Sequence, residues 1–126
     1  MEQQTNGDYG KVTFADEVIA IIAGLAAMEI PGVSAMSSGI VEKLGKKNLS
    51  RGVKVEVGEK EAAIDLYLIV DYGVRIPDIS WNIQENVKKT VETMTGLHVI
   101  EVNIHIQGID FEKEKKTKEG EPPSKA

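Results

Sequence analysis

The chain has 126 residues, a net charge of −5 and no cysteine. That length predicts one domain with one core, and the absence of cysteine excludes disulfides, thiolate nucleophiles and metal sites built on sulfur. The negative charge argues against nucleic-acid binding, because proteins that bind nucleic acid usually carry a basic surplus.

The first predicted elements are a short strand at 11–14 and a helix at about 15–29, after a disordered tail at 1–9. The helix is apolar almost all the way round, so we expect it to be largely buried. Gly24 lies among alanines in this helix, which would allow another backbone to approach closely. Pro31 and Gly32 end the helix.

A glycine-punctuated segment at 33–52 is predicted to be irregular, or to hold a short helix near 40–44. It concentrates basic side chains at Lys43, Lys46, Lys47 and Arg51. One interpretation is a patch that binds an anion or an acidic partner, and the alternative, which the residues alone favour, is a solvated loop. The spacing does not match the short glycine loop with which KH domains clamp nucleotide backbones.

Three strands carry the clearest pattern, an alternation of apolar and polar residues at 53–57, 64–71 and 100–107. Period-two alternation predicts that one face of the sheet is buried and the other is wet. The polar segment at 58–61 predicts a hairpin between the first two strands. The inward residues are expected to be Val53, Val55, Val57, Ile64, Leu66, Leu68, Val70, Ile100, Val102, Ile104 and Ile106.

A second helix is predicted at about 78–95, with Pro77 at its start and Gly96 at its end. Asp78 or Ser80 is expected to cap it. Its apolar stripe at helical spacing consists of Ile79, Ile83, Val87, Val91 and Met94. Trp81 falls off the stripe, and we expect it to be buried at the flank of the core; if exposed, it would be a candidate contact hot spot.

The element order is therefore (β)-α-β-β-α-β, which predicts an α+β open-faced sandwich. Both helices must cover the apolar face of a three- to four-stranded sheet, because the other face is polar. We expect a single domain at 10–111, followed by a disordered charged tail at 112–126.

The titratable residues do not form a recognisable catalytic or metal-binding set. His98 and His105 are separated by seven positions in one strand, and an odd separation predicts opposite faces. Asp65 and Glu101 share the wet face, but a catalytic acid needs a pKa raised by burial or crowding. We therefore expect no enzyme, no catalytic residue, no cofactor and no metal.

The wet face of the sheet is the more informative surface. Tyr67 and Ile69 are predicted to lie there, with His105 nearby, and apolar residues on an exposed face indicate a contact site. An RNA-binding sheet would carry several aromatic residues, whereas this one has Tyr67 alone. Protein contact is thus preferred over base stacking, and isolated surface residues without a role remain the alternative.

Four segments carry a resemblance to a known family: GKVTFADEVIAIIAGLAAMEIPGV at 10–33, LSRGVKVEV at 49–57, IDLYLIVDYGVRIPDISWNIQENVKKTVETMTGL at 64–97 and VNIHIQGIDF at 102–111. In their order they resemble the alkaline-shock-protein, or general-stress, family of Gram-positive bacteria. The stretch GIVEKLGKK at 39–47 looks most like the branch encoded near acetyl-CoA carboxylase genes.

The resemblance implies a non-enzymatic protein of the envelope stress response that associates with itself and is held at the membrane by an anchoring partner. The carboxylase-linked branch implies an alternative, the regulation of acetyl-CoA carboxylase and hence of fatty-acid precursor synthesis. The family has no agreed binding residues, and we assign this contact to the segment from Lys43 to Arg51 on its basic charge. A nucleic-acid-binding module is less favoured.

No apolar run approaches the ~20 residues that span a bilayer, and the polar residues 1–10 have no apolar signal core, so we expect a cytoplasmic protein without direct membrane insertion.

Overall fold

A computed structural model describes residues 3–7, 9–37 and 51–111. The helices and strands are β1 (Gln3–Gly7), β2 (Gly10–Phe14), α1 (Asp16–Met28), β3 (Val33–Met36), β4 (Val53–Val57), β5 (Glu61–Asp71), α2 (Ile76–Thr95) and β6 (His98–Asp110). The predicted fold class, an open α+β sandwich with two helices on one face of a sheet, is confirmed. The predicted tail at 112–126 lies outside the described residues.

The sheet is built around β5, which is paired along both edges. On one edge β6 runs parallel to β5 over its whole length, from Glu61 opposite His98 to Asp71 opposite Asp110. On the other edge β3 and β4 are both antiparallel to β5. Because β3 pairs with the end of β5 and β4 with its beginning, these two short strands lie end to end along the same edge.

The junction between β3 and β4 lies opposite Tyr67. The carbonyl of Tyr67 accepts a hydrogen bond from the N–H of Ser37 at 2.8 Å, and the N–H of Tyr67 donates to the carbonyl of Gly52 at 2.8 Å. Gly52 has a φ of +82°, and a Cβ there would lie 2.8 Å from the Ser37 carbonyl oxygen. Only glycine fits this position without strain.

The structure corrects the irregular segment predicted at 33–52, since its first residues form β3. A strand of four residues, with a register irregularity at Ser34, is too short to show an alternating pattern. The predicted short helix near 40–44 lies outside the described residues. The hairpin predicted at 58–61 is present, with the Gly58 N–H bonded to the Glu61 carbonyl at 2.8 Å.

The core lies between the sheet and the two helices. Alternate residues of β5 face it and have no solvent exposure: Ile64, Leu66, Leu68 and Val70. The predicted stripe of α2 is confirmed from Ile79 to Val91, but its last member is Thr95, while Met94 is 62% exposed. Thr95 satisfies its hydroxyl by donating to the Val91 carbonyl at 2.7 Å and accepting from the Leu97 N–H at 3.1 Å.

The α1 helix is less buried than its composition predicts. Its small side packs inward, with Ile19, Ala23, Gly24 and the alanines at 26 and 27 buried. The opposite side exposes Val18, Leu25 and Met28, with Leu25 at 53%. The side chain of Asn86 on α2 joins the two helices, because its Nδ2 donates to the Ala26 carbonyl at 2.8 Å and to Glu29 Oε1 at 2.9 Å.

Two irregularities interrupt the alternation of β6. Val99 pairs with Ala62 and Glu101 with Ala63, so Ile100 is an extra residue, and a second shift occurs at Gln107. Such bulges move the following side chains to the opposite face. Ile100, predicted to be inward, is therefore 51% exposed, while Val99 and Val102 are both buried.

The first bulge also overturns the argument that His98 and His105 lie on opposite faces, because the extra residue at Ile100 interrupts the alternation of faces between them. Their contacts nevertheless differ. His98 Nδ1 lies 3.3 Å from Glu92 Oε2 on α2, whereas His105 contacts residues of β5.

The remaining corrections concern the ends of elements. Residues 3–7, expected in a disordered tail, form β1 and pair with β2. The sequence of β1, QQTNG, contains no apolar residue and so carries no strand pattern. The α2 helix begins at Ile76, and Asp78 does not cap it but forms an ion pair with Arg75 at 3.2 Å. Gly96 ends α2 in the left-handed conformation, as predicted.

Candidate interaction face

The outward side of the sheet forms a surface, which we call the open face, that neither described helix covers. Its centre consists of Asp65, Tyr67 and Ile69 of β5, which alternate with the buried residues of the same strand. Across the strand pair, Asn103 lies opposite Asp65 and His105 lies opposite Tyr67. The predicted placement of Tyr67, Ile69 and His105 on one surface agrees with this geometry.

Tyr67 and His105 form a stacked pair at the centre of the open face. Their ring centroids are 4.5 Å apart and the ring planes are inclined by 13°. The imidazole is fixed at its other end, since His105 Nε2 lies 3.1 Å from Asp65 Oδ1. Stacking and hydrogen bonding together restrict both rings, so a partner would meet a preformed aromatic platform with little further loss of side-chain entropy.

The electrostatics of this cluster are those of a charged surface, not of an acid catalyst. The hydrogen bond from His105 lowers the pKa of Asp65 and outweighs the opposing effect of burial, and smaller contributions from Asn103 and the charge of Lys54 lower this pKa further. Asp65 is therefore ionised at neutral pH, whereas a general acid requires a raised pKa. Glu101 lies opposite Ala63 and accepts a hydrogen bond from Asn103 at 3.0 Å, so the two carboxylates are each held by other groups.

Ile69 extends the platform towards the end of the sheet. Its side chain is half-buried against Gly108, where a Cβ would lie 3.6 Å from Ile69 Cγ1. Beyond it, the hydroxyl of Ser34 on β3 donates to Asp110 Oδ2 on β6 across the intervening strand. Around the apolar centre, strand residues of the open face bear carboxylates at Glu56, Asp65, Asp71, Glu101 and Asp110.

The basic segment predicted to bind a partner is only partly described. Lys43, Lys46 and Lys47 lie outside the described residues. Arg51 is half-buried in the turn before Gly52, and Gly52 bonds to the backbone of Tyr67. The segment therefore rejoins the sheet beside the open face.

Beyond Met94 and Ile100, further apolar side chains of the described residues are exposed without having been predicted so. Trp81, expected to be buried, is 58% exposed on α2. The outer side of α1 is exposed at Val18, Leu25 and Met28. Tyr72 contacts Phe111 with a distance of 5.2 Å between the ring centroids, and both rings are exposed. Among these side chains, Trp81 alone had a sequence signal of exposure, which was its position off the apolar stripe of α2.

Metal-binding and membrane-spanning features are absent from the part of the chain that the structure describes. Within 3–7, 9–37 and 51–111, no group of three or more histidine and carboxylate side chains is arranged to hold a metal ion. Neither described helix has the length and apolar character needed to cross a bilayer.

The fold and the open face define a small open-faced α+β domain with an exposed aromatic and acidic surface. The chain belongs to the family of alkaline shock protein 23, described as having a cell envelope-related function, whose profile matches residues 4–111. This confirms the resemblance to the alkaline-shock and general-stress proteins.

Relatives from two genera are similar over most of the chain. The uncharacterized protein YqhY of Bacillus subtilis is 46% identical over 82% of this chain and 79% of its own length. The uncharacterized protein YloU of the same organism is 42% identical over 80% of this chain and 89% of its own. A stress response regulator gls24 homolog of Streptococcus pyogenes is 36% identical over 88% of this chain and 67% of its own.

Proposed function

We propose that this protein is a non-enzymatic component of the envelope or general stress response that acts by contacts with other proteins and with itself. The family description and the regulator name of the streptococcal homolog support the stress-related part. We further propose that it acts in the cytoplasm and reaches the membrane through an anchoring partner.

The observation that carries this proposal is the open face with its stacked Tyr67 and His105. Tyrosine is enriched among the residues that dominate binding energy, because its rigid ring supplies a large contact area. Asp65 keeps the imidazole in place and remains charged, so the cluster combines an apolar platform with a fixed negative charge. Such a surface suits recognition by a protein, with no chemical step.

The test is capture of a partner from a lysate of the native host by the immobilised full chain. Tyr67→Ala should lower the affinity for a specific partner by about 30-fold, the effect of losing a hot spot of ~2 kcal/mol. Tyr72→Ala is the matched control, because it removes an exposed tyrosine outside the sheet face. Equal loss in the two variants, or no loss in either, would contradict a role for the open face.

The alternative proposal is regulation of acetyl-CoA carboxylase through Lys43, Lys46, Lys47 and Arg51. It is supported by the position of Arg51, which brings the basic segment back to the sheet beside the open face. The double change Lys46→Glu and Lys47→Glu should abolish pulldown of the carboxylase, while Tyr67→Ala should leave it intact. Unchanged pulldown by the double variant would exclude this segment.

A further inference from the structure

The outer edge of β6 is divided into two parts by the side chains of α2. In the first part, the Val99 N–H donates to Glu92 Oε2 at 2.8 Å and the Val99 carbonyl accepts from Lys88 Nζ at 3.1 Å. The Val102 carbonyl accepts from Gln84 Nε2 at 3.0 Å. These side chains occupy the backbone groups that a neighbouring strand would need.

The second part of the edge has no such cover among the described residues. Backbone groups along a strand alternate in direction, so Ile104 and Ile106 point their N–H and C=O to the same side as Val102. No described strand or side chain is bonded to them there, and both isoleucine side chains are only partly buried. An uncovered edge of this kind is a template for another strand.

The opposite edge of the sheet is protected by contrast. It is made of two short strands that meet opposite Tyr67, and Lys54 and Glu56 place charges along β4. Short, interrupted and charged edges are the usual means of preventing strand addition. The uncovered stretch of β6 comprises residues 103–107, with Asn103, His105 and Gln107 on the face opposite Ile104 and Ile106. This stretch carries no carboxylate or ammonium group.

We propose that a second copy of this chain pairs with this stretch, β6 against β6 and antiparallel, with His105 at the two-fold axis. In that register Ile104 of one copy lies opposite Ile106 of the other, so the outward groups of both residues exchange hydrogen bonds twice. The branched side chains meet across the same pairs, which stabilises neighbouring strands. The stretch is thus complementary to itself.

The α2 side chains limit this ladder to about five residues per copy, since Val102 is already bonded. A ladder this short predicts a dimer whose population depends on concentration. The axis is perpendicular to the sheet, so the two open faces lie on the same side and present both Tyr67–His105 stacks together. This inference rests on the proposed self-association and names its surface.

The absence of cysteine allows a direct test by disulfide formation. At the axis, two residues in a non-hydrogen-bonded antiparallel pair have Cα atoms ~4.5 Å apart, within the range that a disulfide bridges. The variant His105→Cys in the full chain should therefore form a linked dimer under mild oxidation. Asn103→Cys is the matched control on the same strand and face, because its two copies would be about 14 Å apart along the strands.

The expected result is a rate of cross-linking at least tenfold higher for His105→Cys than for Asn103→Cys, read on a non-reducing gel. Equal rates, or no linked dimer for His105→Cys, would overturn the pairing.

A second measurement covers the case in which removing His105 disturbs the face. Sedimentation equilibrium of Ile106→Lys should show self-association at least tenfold weaker than that of the unaltered chain, with a thermal unfolding curve confirming that the variant folds. A monomeric unaltered chain, or a dimer that Ile106→Lys leaves intact, would overturn the inference. Partner capture through Tyr67 is measured separately, so either proposal can fail without the other.

Discussion

The two faces of β5 differ in burial and in the contacts that hold their side chains, although their residues alternate along one strand. Ile64, Leu66 and Leu68 are fully buried under the helices, while Asp65 and Tyr67 between them lie on the open face. The buried residues stabilise the domain through the area they remove from water, and the outward ones are held by a stack and a hydrogen bond. Stability and the proposed recognition are therefore carried by neighbouring residues and should be separable by single substitutions.

The sharpest separation is expected from Leu66→Ala. Removal of a fully buried leucine should lower the free energy of unfolding by about 2–5 kcal/mol, through lost burial and a residual cavity. Urea denaturation measures this as a lower midpoint with an unchanged slope. If Leu66→Ala costs no more than Tyr67→Ala, the two sides of β5 do not differ as described.

The backbone of the open face depends on Gly52. Gly52→Ala should cost about 1–3 kcal/mol, because the new Cβ would meet the Ser37 carbonyl at 2.8 Å in a left-handed backbone conformation. Gly73→Ala is the matched control, because its φ is +95° and a Cβ added there would meet nothing within 4 Å. Equal losses on denaturation would show that the contact with Ser37 adds nothing.

The helices over the buried face are joined by Asn86. Asn86→Ala should destabilise the domain by about 1 kcal/mol, since the Ala26 carbonyl at the end of α1 loses the hydrogen bond from the Asn86 amide. Asn82→Ala, an exposed residue of the same helix, controls for the change in helix propensity. A difference between the two variants in thermal unfolding is the expected result, and identical curves would count against the link.

The smallest effect is expected from Asp65→Asn, and it should depend on pH. The pKa of Asp65 is lowered in the folded protein, chiefly by the hydrogen bond from His105. The carboxylate therefore stabilises the fold above its ordinary pKa of 3.8, and this contribution is lost as the pH falls through the lower folded value. Because the pair is partly exposed, the difference at neutral pH should stay below about 1 kcal/mol.

The measurement is the free energy of unfolding of both chains between about pH 7 and about pH 2, a range that spans the titration of the carboxylate. The curves of the unaltered chain and Asp65→Asn should converge at the acid end. Glu56→Gln removes a carboxylate from the same face without touching His105 and serves as the control. A gap that widens towards acid pH would contradict the assignment.

The sequence was sufficient to predict the regular parts of this fold. Strict alternation identified both sides of β5, and helical spacing identified the inward stripe of α2 as far as Val91. The same alternation brought Tyr67, Ile69 and His105 to one surface. In each case the pattern extends over several residues, so one irregular position does not change the interpretation.

Short or irregular features were not predictable, for physical reasons. The extra residue at Ile100 changes the face of the residues after it without changing composition, so alternation misassigned it. A helix that is apolar all round, such as α1, contains no information about which side is covered, and Leu25 was therefore expected to be buried. The stack of Tyr67 on His105 depends on the pairing of β5 with β6, which no local pattern specifies.

The two backbone hydrogen bonds of Tyr67 have a consequence for the engineering of this chain. Ser37 and Gly52 are bonded to the same residue, so the described residues on either side of 38–50 are held together at one point of the sheet. Lengthening the connection between Ser37 and Gly52 costs only about 0.6 kcal/mol of loop-closure free energy for each doubling of its length. A peptide tag or a fluorescent reporter inserted between residues 38 and 50 should leave the pairing of β3 and β4 with β5 unchanged.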